Sequence, residues 1–312
     1  MIKWSETGGT YAHWNNVAQH GNLAQPDNLV EAAKAAERLG YSTLWAADRL
    51  LYPVKPRTKY PVTADGSLPD FYKRVLDPIE VLTFVAAHTG RIGLGTSVLD
   101  IPFYNPVTLA RRLTSLDILS NGRLRAGFGL GWSVDEFEAA GADQKERGAR
   151  ADEFLAALKT IWREDPVEFH GKYFSVPRSI IGAKPVQKPH PPIYLAAYAP
   201  AALKRAATMA NGWMPVGIPL DGMAAMITQL RQLASDAGRD PRSLEVIVGA
   251  NISITPKAVG ADRPTFAGSE DQIRNDIEAV KQLSAGEIFF IAFPEGGIKD
   301  LAATMERYRS FV

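Results

Sequence analysis

The sequence contains no cysteine and only five histidines among its 312 residues. The absence of cysteine excludes disulfides, thiolate nucleophiles and iron–sulfur clusters. With so few histidines, we expect no metal site. An excess of charge is also missing, because 35 basic and 34 acidic residues are spread along the chain and give a formal net charge of +1. A nucleic-acid partner is therefore not expected.

Long hydrophobic runs are missing as well. No apolar run approaches the roughly 18 residues that a membrane span needs, and residues 1–6 lack a basic segment followed by an apolar signal core. We therefore expect a cytoplasmic protein without a membrane partner. Hydrophobic residues make up 46% of the chain, which is enough for the large core of one domain spanning residues 1–312.

Helix-like and strand-like segments alternate along the whole chain. Residues 27–39 carry apolar side chains at helical spacing and stop at Gly40, and an apolar strand at 42–47 leads to Asp48. Further helices are predicted at 78–88, 106–119, 148–162, 200–210, 222–237, 270–283 and 299–309, with strands near Ile92, Leu124, Ile193, Trp213, Val246 and Ile288. Eight such units predict an α/β fold, a TIM-type (β/α)8 barrel.

Three segments interrupt this alternation. Residues 49–75 form a long connection rich in proline and aromatic side chains, which predicts a folded lid. Residues 165–192 contain two short β runs around Gly171, which predict a hairpin and a connector inserted before the fifth strand. Residues 7–25 are expected to follow the first strand and to leave it at the end where barrel active sites lie.

Glycines mark the ends of two strands, 92–98 and 124–132, within one β–α–β unit. Glycine tolerates unusual backbone conformations and lets a flat ligand approach the main chain. The pattern therefore predicts a planar cofactor at the carboxyl ends of these strands, near Gly129 and Gly131. The glycine run at 127–131 precedes a polar loop and no immediate helix, so it predicts no NAD site.

Few polar side chains are candidates for the chemistry. Asp48 ends an apolar strand, where an isolated carboxylate is costly unless it is paired or solvated. His13 is expected near the exit of the first strand, where it could protonate or orient a substrate oxygen. Asp135 and Glu136 are adjacent and do not suit glycoside hydrolysis, so we expect them to begin a helix. A cofactor-free aldolase or isomerase would need a buried lysine or paired acids at strand ends, and none is convincing.

Several motifs occur in an order and spacing that resembles the luciferase-like monooxygenase superfamily. They are LGYSTLWAAD at 39–48, RIGLGT at 91–96, NP at 105–106, LDILSNGR at 116–123 and GFGLGW at 127–132, with further matches at 146–150, 169–173, 184–187 and 211–213. The resemblance runs from about Pro26 to Trp213 and continues more weakly to the end. The pattern is most similar to the branch that uses coenzyme F-420, a deazaflavin, whereas other branches use reduced FMN. The resemblance implies an oxidoreductase that exchanges a hydride between deazaflavin and a small, partly apolar substrate.

Two alternatives stay open. One is an FMN-dependent monooxygenase that takes reduced flavin from a separate reductase and uses oxygen. The other is a non-catalytic relative that binds flavin or deazaflavin. The resemblance also implies a homodimer that associates through helices near strands two and three.

The resemblance further implies which residues contact the cofactor. Relatives carry a backbone bulge, often with a non-prolyl cis peptide, behind the ring at the end of strand three, and they hold the cofactor phosphate at a helix start after strand five. Arg150 and Lys204 could add positive charge to the phosphate site. The matching residues are Gly95, Thr96, Ser97 and Val98 for the ring, and Ala196, Ala197, Tyr198 and Ala199 before Pro200 for the phosphate.

Two positions depart from the deazaflavin-dependent pattern. Histidine often follows the aspartate in relatives, but here Arg49 follows Asp48. Arginine stays charged, so it serves as an anion or ring-edge contact and not as a proton carrier. A sugar-phosphate dehydrogenase branch has glutamate after strand four, where this chain has Trp132, which suits an apolar or stacking wall. The acid–base mechanism of that branch is therefore not expected here.

Overall fold

The computed structural model describes residues 11–15, 20–63, 65–283, 287–291 and 298–312. The strands are β1 Tyr11–Asn15, β2 Thr43–Ala46, β3 Gly93–Thr96, β4 Leu99–Asp100, β5 Leu124–Gly129, β6 Val167–His170, β7 Ser175–Ser179, β8 Ile193–Leu195, β9 Gly212–Trp213, β10 Glu245–Asn251, β11 Ser253–Ile254, β12 Ala267–Gly268 and β13 Glu287–Ile291. The helices are α1 Pro26–Arg38, α2 Pro78–Ala86, α3 Pro106–Leu119, α4 Val134–Ala139, α5 Arg147–Arg163, α6 Pro200–Met209, α7 Leu220–Asp236, α8 Glu270–Gln282 and α9 Ile298–Arg309. Short 3-10 helices cover Gly21–Leu23, Asp70–Lys73, Ile101–Phe103 and Pro241–Ser243.

Eight parallel strands close into a ring in the order β1, β2, β3, β5, β8, β9, β10 and β13. The ring closes because β13 pairs with β1 and because β3 pairs with β5. At least one helix follows each strand of the ring before the next one begins. The predicted (β/α)8 barrel is therefore confirmed. None of the described helices is both long and apolar enough to cross a membrane.

Proline and capping residues explain where several helices begin. α1, α2, α3 and α6 each begin at a proline, whose fixed φ suits the first helical position and whose missing N–H costs nothing there. Asp77 caps α2 by accepting from the Ile79 amide at 2.9 Å, and Asn105 caps α3 through the Val107 and Thr108 amides. These local signals are the reason that the predicted helix starts are confirmed to within two residues.

The barrel interior is filled by large side chains: Trp45, Tyr194, Met214, Ile247 and Phe289. A larger apolar layer lies between the strands and the surrounding helices. Arg125 also lies inside the ring, and its guanidinium pairs with Glu245 and Glu287 and donates to the Tyr194 hydroxyl. Buried charges need such partners.

The first strand corrects one expectation. β1 lies within residues 7–25, so His13 is in the strand itself and not in a loop after it. The strand is hard to recognise in the sequence, because Tyr11, His13 and Asn15 are polar and only Trp14 gives a strong apolar signal. Trp14 is fully buried against the rings of Tyr41 and Tyr308.

The predicted hairpin is confirmed as the antiparallel pair β6 and β7, which lies before the fifth barrel strand, β8. His170 ends β6, and its ring forms a hydrogen bond with Glu168 at 3.0 Å. Glu153 of α5 fixes the turn by accepting from the amides of Lys172, Tyr173 and Phe174 at 2.6 to 2.9 Å.

Substitution of Gly95 by alanine tests how closely the barrel strand β3 packs against Trp45. A Cβ there would lie 2.1 to 2.5 Å from ring carbons of Trp45, so Gly95→Ala is expected to lower the free energy of unfolding by about 1 to 3 kcal/mol. Gly90→Ala is the matched control, because that Cβ would enter open space. Urea unfolding measures both variants, and equal midpoints would contradict the packing role.

Candidate active site

The carboxyl ends of the barrel strands bring the predicted site residues to one mouth. Asp48 follows β2, Ser97 and Val98 follow β3, and Trp132 follows β5. Asp100, which was not predicted, ends β4 at the same place. Active sites of (β/α)8 barrels are built at this end, because loops from different strands meet there.

Asp48 carries a half-buried carboxyl at this mouth. The Tyr104 hydroxyl donates a hydrogen bond to Asp48 Oδ2 at 2.7 Å. Burial raises the pKa of Asp48 to about 6, although the Tyr104 hydrogen bond and the charge of Arg49 oppose the rise. This carboxyl can therefore gain or lose a proton near neutral pH.

Asp100 is a second carboxyl at the mouth, and the sequence analysis missed it. Its Oδ1 accepts from the Gly131 amide at 2.8 Å. Burial, and next the charge of Asp48, raise the pKa of Asp100 to about 7. An acidic residue directly after the apolar Leu99 is the same kind of signal that marked Asp48 and could have identified it.

The segment expected behind the cofactor ring has two parts. Gly95 and Thr96 are buried, and the Thr96 hydroxyl donates to the Gly127 carbonyl at 2.8 Å, so these two residues serve the strand packing. Ser97 and Val98 are only half-buried and are joined by a non-prolyl cis peptide bond. Contact of any of the four with a cofactor stays a prediction.

The glycines at the end of β5 make room for the protein's own side chains. A Cβ at Gly129 would lie 2.5 Å from both Val98 Cγ2 and Asp100 Oδ1. Gly131 has φ +70° and would press a Cβ against the rings of Phe103 and Phe137, so it fits a left-handed turn that glycine accepts readily. β5 ends at Gly129, so Gly131 and Trp132 lie in this turn and not in the strand.

Arg49 forms a buried ion pair with Glu136 of α4, and the two side chains are only 6% and 2% exposed. The guanidinium carbon also lies 4.8 Å from the centre of the Trp132 ring and 5.6 Å from that of Tyr72. Arg49 Nε is buried and has no hydrogen-bond partner among the described residues. α4 begins next to Asp135 and Glu136 as expected, but the ion pair to Arg49 was not anticipated.

The 49–75 segment is folded against α4, as its aromatic side chains indicated. Glu136 Oε1 accepts from the Leu50 amide at 2.9 Å. Further out, Arg57 pairs with Asp135 and Glu138. The Tyr60 ring lies 5.4 Å from the Trp132 ring, so the segment covers the Trp132 side of the mouth.

The start of α6 is the expected phosphate site. Ala199 precedes the helix, and the Tyr198 side chain is 54% exposed. The Ala196 amide donates to the Phe128 carbonyl at 3.0 Å and extends the strand pairing, so this amide is already used within the protein. Ala196 and Ala197 line a small cleft together with Gly129 and Arg205.

Arg205 is the cation that reaches this cleft. It is buried, pairs with Asp152 and donates to the Gly148 carbonyl at 2.8 Å. Arg150 instead lies over the rings of Tyr173 and Phe174 in the hairpin, at 5.2 and 5.1 Å, and Lys204 is exposed. The roles predicted for Arg150 and for residues 196–199 in holding a cofactor stay predictions.

His13 and His20 are the two histidines nearest the amino terminus, and the structure describes the side chain only of His20. For His13 only the backbone is described, where it pairs in register with Thr43 and Phe289. The His20 ring is buried and lies 5.6 Å from the rings of Phe71 and Tyr72. Burial lowers the pKa of His20 to about 4, so this ring is neutral at pH 7 and packs under the 49–75 segment.

Comparison with known proteins identifies the family. The profile of the Luciferase-like monooxygenase family matches residues 7–268. The chain belongs to this family. Members are oxidoreductases and monooxygenases, so the protein is an enzyme of that type.

Relatives within the family differ in their assigned cofactor. An uncharacterized protein of Mycobacterium tuberculosis is 34% identical over 72% of this chain and 79% of its own length. An F-420-dependent glucose-6-phosphate dehydrogenase of Amycolatopsis mediterranei is 32% identical over 61% of this chain and 53% of its own. The oxygenase component of a flavin-dependent trigonelline monooxygenase of Acinetobacter baylyi is 28% identical over 61% and 48%.

A solved structure agrees with the fold. An F-420-dependent secondary alcohol dehydrogenase, in complex with an F-420–acetone adduct, superposes with a TM-score of 0.78 over 97% of this chain and 98% of its own. The sequence identity is 17%, so this likeness establishes the shared barrel alone.

The buried ion pair can be tested by a double-mutant cycle. Glu136→Gln is expected to cost about 3 to 5 kcal/mol of unfolding free energy, because it leaves the Arg49 charge buried without a counter-ion. Adding Arg49→Met should restore part of that loss. Arg57→Met is the matched control, since its pairs are exposed and should be worth less than about 1 kcal/mol. Additive losses in urea unfolding for Arg49 and Glu136 would refute the coupling.

His20 is expected to make stability fall in mild acid. In the unfolded chain the His20 ring takes up a proton below about pH 6.5, whereas in the folded protein it stays neutral down to about pH 4. The stability that neutral His20 contributes is therefore present above pH 6.5 and is lost as the pH falls below it. Relative to His20→Gln, the protein should lose about 2 kcal/mol between pH 8 and pH 5. Exposed His88→Gln is the control. Parallel pH curves for the protein and His20→Gln, from urea unfolding, would contradict this account.

Proposed function

We propose that the protein is a coenzyme F-420-dependent oxidoreductase that exchanges a hydride between the deazaflavin and a small, partly apolar organic substrate. The observation that carries the proposal is the Asp48 carboxyl at the barrel mouth, which accepts a hydrogen bond from Tyr104 and whose pKa is raised by burial to about 6. Hydride exchange at an alcohol or carbonyl carbon needs a proton carrier of this kind. The F-420-dependent relative at 32% identity supports the choice of cofactor.

The residues present fit a flat cofactor with an anionic arm. The half-buried Ser97 and Val98 would lie behind the ring, and the start of α6 with the buried Arg205 would hold a phosphate. Arg205 was not among the residues expected from the sequence, and it lines that cleft while it pairs with Asp152. When bound, the deazaflavin supplies the hydride acceptor or donor, and the protein supplies position and surroundings.

Each residue at the mouth has a distinct task in this proposal. Asp48 holds or takes the proton, and Tyr104 orients its carboxyl. Trp132 forms one wall of the substrate space and also stacks on Arg49. The 49–75 segment, as a lid, excludes water from the reacting groups. The role of His13 at the exit of β1 stays a prediction.

A second candidate is an FMN-dependent monooxygenase that uses oxygen and receives reduced flavin from a separate reductase. It is favoured by the trigonelline relative, which is the oxygenase component of its system. The third alternative from the sequence, a cofactor-binding relative without catalysis, is not favoured, because the chain belongs to a family of oxidoreductases and monooxygenases.

We further propose a homodimer through α2 and α3, where Phe84, Ile118 and Leu119 are exposed apolar residues.

Fluorescence-quench titrations with coenzyme F-420 and with FMN, at matched salt, separate these candidates. We expect micromolar or tighter binding of the deazaflavin and weaker binding of FMN. Asp48→Asn is expected to keep that binding and the melting temperature while losing at least about tenfold in turnover. Preference for FMN would select the monooxygenase, and binding of F-420 without turnover of alcohols or carbonyl compounds would contradict the proposed reaction. Binding of neither cofactor would contradict the proposal.

A further inference from the structure

Arg49 is the cation next to Asp48 in the chain, but Glu136 takes up its charge. Glu136 Oε2 pairs with the Arg49 guanidinium, and Glu136 Oε1 accepts from the Leu50 amide at 2.9 Å and from the Leu51 amide at 3.4 Å. Both oxygens of this carboxylate are therefore bound to the chain that directly follows Asp48. Glu136 cannot turn away from Arg49 without losing the two amides as well.

Aromatic rings hold the guanidinium in the same position. Its central carbon lies 4.8 Å from the centre of the Trp132 ring and 5.6 Å from that of the Tyr72 ring. The ion pair with Glu136 is almost fully buried beside these rings. A third charge close by is attracted by one member of the pair and repelled by the other, so the pair acts on it almost as a neutral unit. A substrate anion would therefore gain little from Arg49.

Two carboxyls at the mouth have no cation of their own. Asp48 accepts from the Tyr104 hydroxyl at 2.7 Å, and Asp100 accepts from the Gly131 amide at 2.8 Å. Among the described residues neither carboxyl forms an ion pair. A neutral donor satisfies a carboxylate oxygen but leaves the negative charge in place. An anion that enters the mouth is therefore repelled by these two groups whenever they are ionised.

Other cations on the elements around Asp48 are paired or exposed. Arg112 of α3 pairs with carboxylates at the start of α2. Lys55 and Lys59 of the 49–75 segment are exposed, where water and salt screen their charge. In the sequence, the stretches after β1 and β13, residues 16–19 and 292–297, contain no lysine, arginine or histidine. These elements therefore offer a substrate anion no buried cation that is free to bind it.

We propose that Glu136 determines the charge of the substrate that this mouth accepts. Because Glu136 takes up the charge of Arg49, the protein accepts uncharged secondary alcohols or ketones and rejects substrates that carry a carboxylate or a phosphate ester. The inference rests on the proposed hydride chemistry. Glu136 is a positioning residue that acts through Arg49, and the repulsive element is the pair of carboxyls without cations, Asp48 and Asp100.

Binding of two small ligands to the cofactor-free protein tests the proposal without any reaction. Butanamide and butyrate have nearly the same size and differ in charge. The indole N–H signal of Trp132 in nitrogen-15 NMR, assigned with Trp132→Phe, reports a ligand at this wall. At about pH 8, above the raised pKa values of Asp48 and Asp100, butyrate should bind at least about tenfold more weakly than butanamide. Equal or tighter binding of butyrate would overturn the proposal.

Glu136→Gln frees the Arg49 charge and keeps an acceptor for the Leu50 amide. Butyrate should then bind at least about tenfold more tightly than it binds the unaltered protein, while binding of butanamide does not improve. Loosening of the fold would instead weaken both ligands. Asp135→Asn is the matched control, because it lies in the same helix and frees an exposed arginine, so both dissociation constants should stay unchanged. No gain for butyrate in Glu136→Gln would overturn the proposal.

Glu136→Gln leaves a buried charge, so a second variant covers the case in which it does not fold. Asp100→Asn keeps an acceptor for the Gly131 amide and removes one of the carboxyls without a cation. Butyrate should bind this variant several-fold more tightly than the unaltered protein, and butanamide equally well. Unchanged binding of butyrate would overturn the proposal.

Turnover separates this inference from the proposed function and decides if neither small ligand binds. β-Hydroxybutyrate and its amide are matched secondary alcohols, and with deazaflavin the amide should have a kcat/KM at least about tenfold higher. Glu136→Gln should reduce this ratio. Turnover of both compounds with equal kcat/KM would refute the charge selection alone. Binding of neither F-420 nor FMN, together with the expected NMR results, would refute the proposed function and leave the charge selection supported.

Discussion

Closure of the strand ring between β3 and β5 is the constraint on which the barrel mouth depends. The Thr96 hydroxyl bonds to both the amide and the carbonyl of Gly127, at 2.9 and 2.8 Å. A Cβ on Gly127 would lie 2.0 Å from the Thr96 carbonyl oxygen, so the two strands meet this closely only because residue 127 is glycine. The same closure sets Val98 and Asp100 against Gly129 and thereby fixes the chain beyond both strands.

Arg49, the residue after Asp48, determines how much positive charge is left near the carboxyls of the barrel mouth. Its charge is taken up by Glu136, which also accepts from the Leu50 amide, so Arg49 ties the 49–75 segment to α4. Little positive charge remains to stabilise the ionised forms of Asp48 and Asp100. Burial is the main cause of their raised pKa values, and the charge of Asp48 adds to the rise at Asp100. Under the proposed function Asp48 is the proton carrier, at a place where the sequence pattern of relatives suggested histidine.

Local signals explain what the sequence predicted well. Three kinds of signal depend on only a few adjacent residues: prolines at helix starts, capping residues such as Asn105, and apolar strands such as β10. The repetition of these signals along the chain predicted the barrel. β1 was misplaced because its residues are mostly polar. The pairing of Arg49 with Glu136 was missed because the two residues are 87 positions apart, and no local pattern specifies which distant charge a buried arginine meets.

The contacts of the 49–75 segment also decide how it can move. Arg57 is 53% exposed where it pairs with Asp135 and Glu138, and exposed pairs contribute little because water competes for both charges. The pair of Arg49 with Glu136 is almost fully buried, and breaking it would leave two charges without partners. The segment is therefore held more strongly at Arg49 than at Arg57. If it acts as the proposed lid, the ion pairs of Arg57 cost less to break than the ion pair next to Asp48.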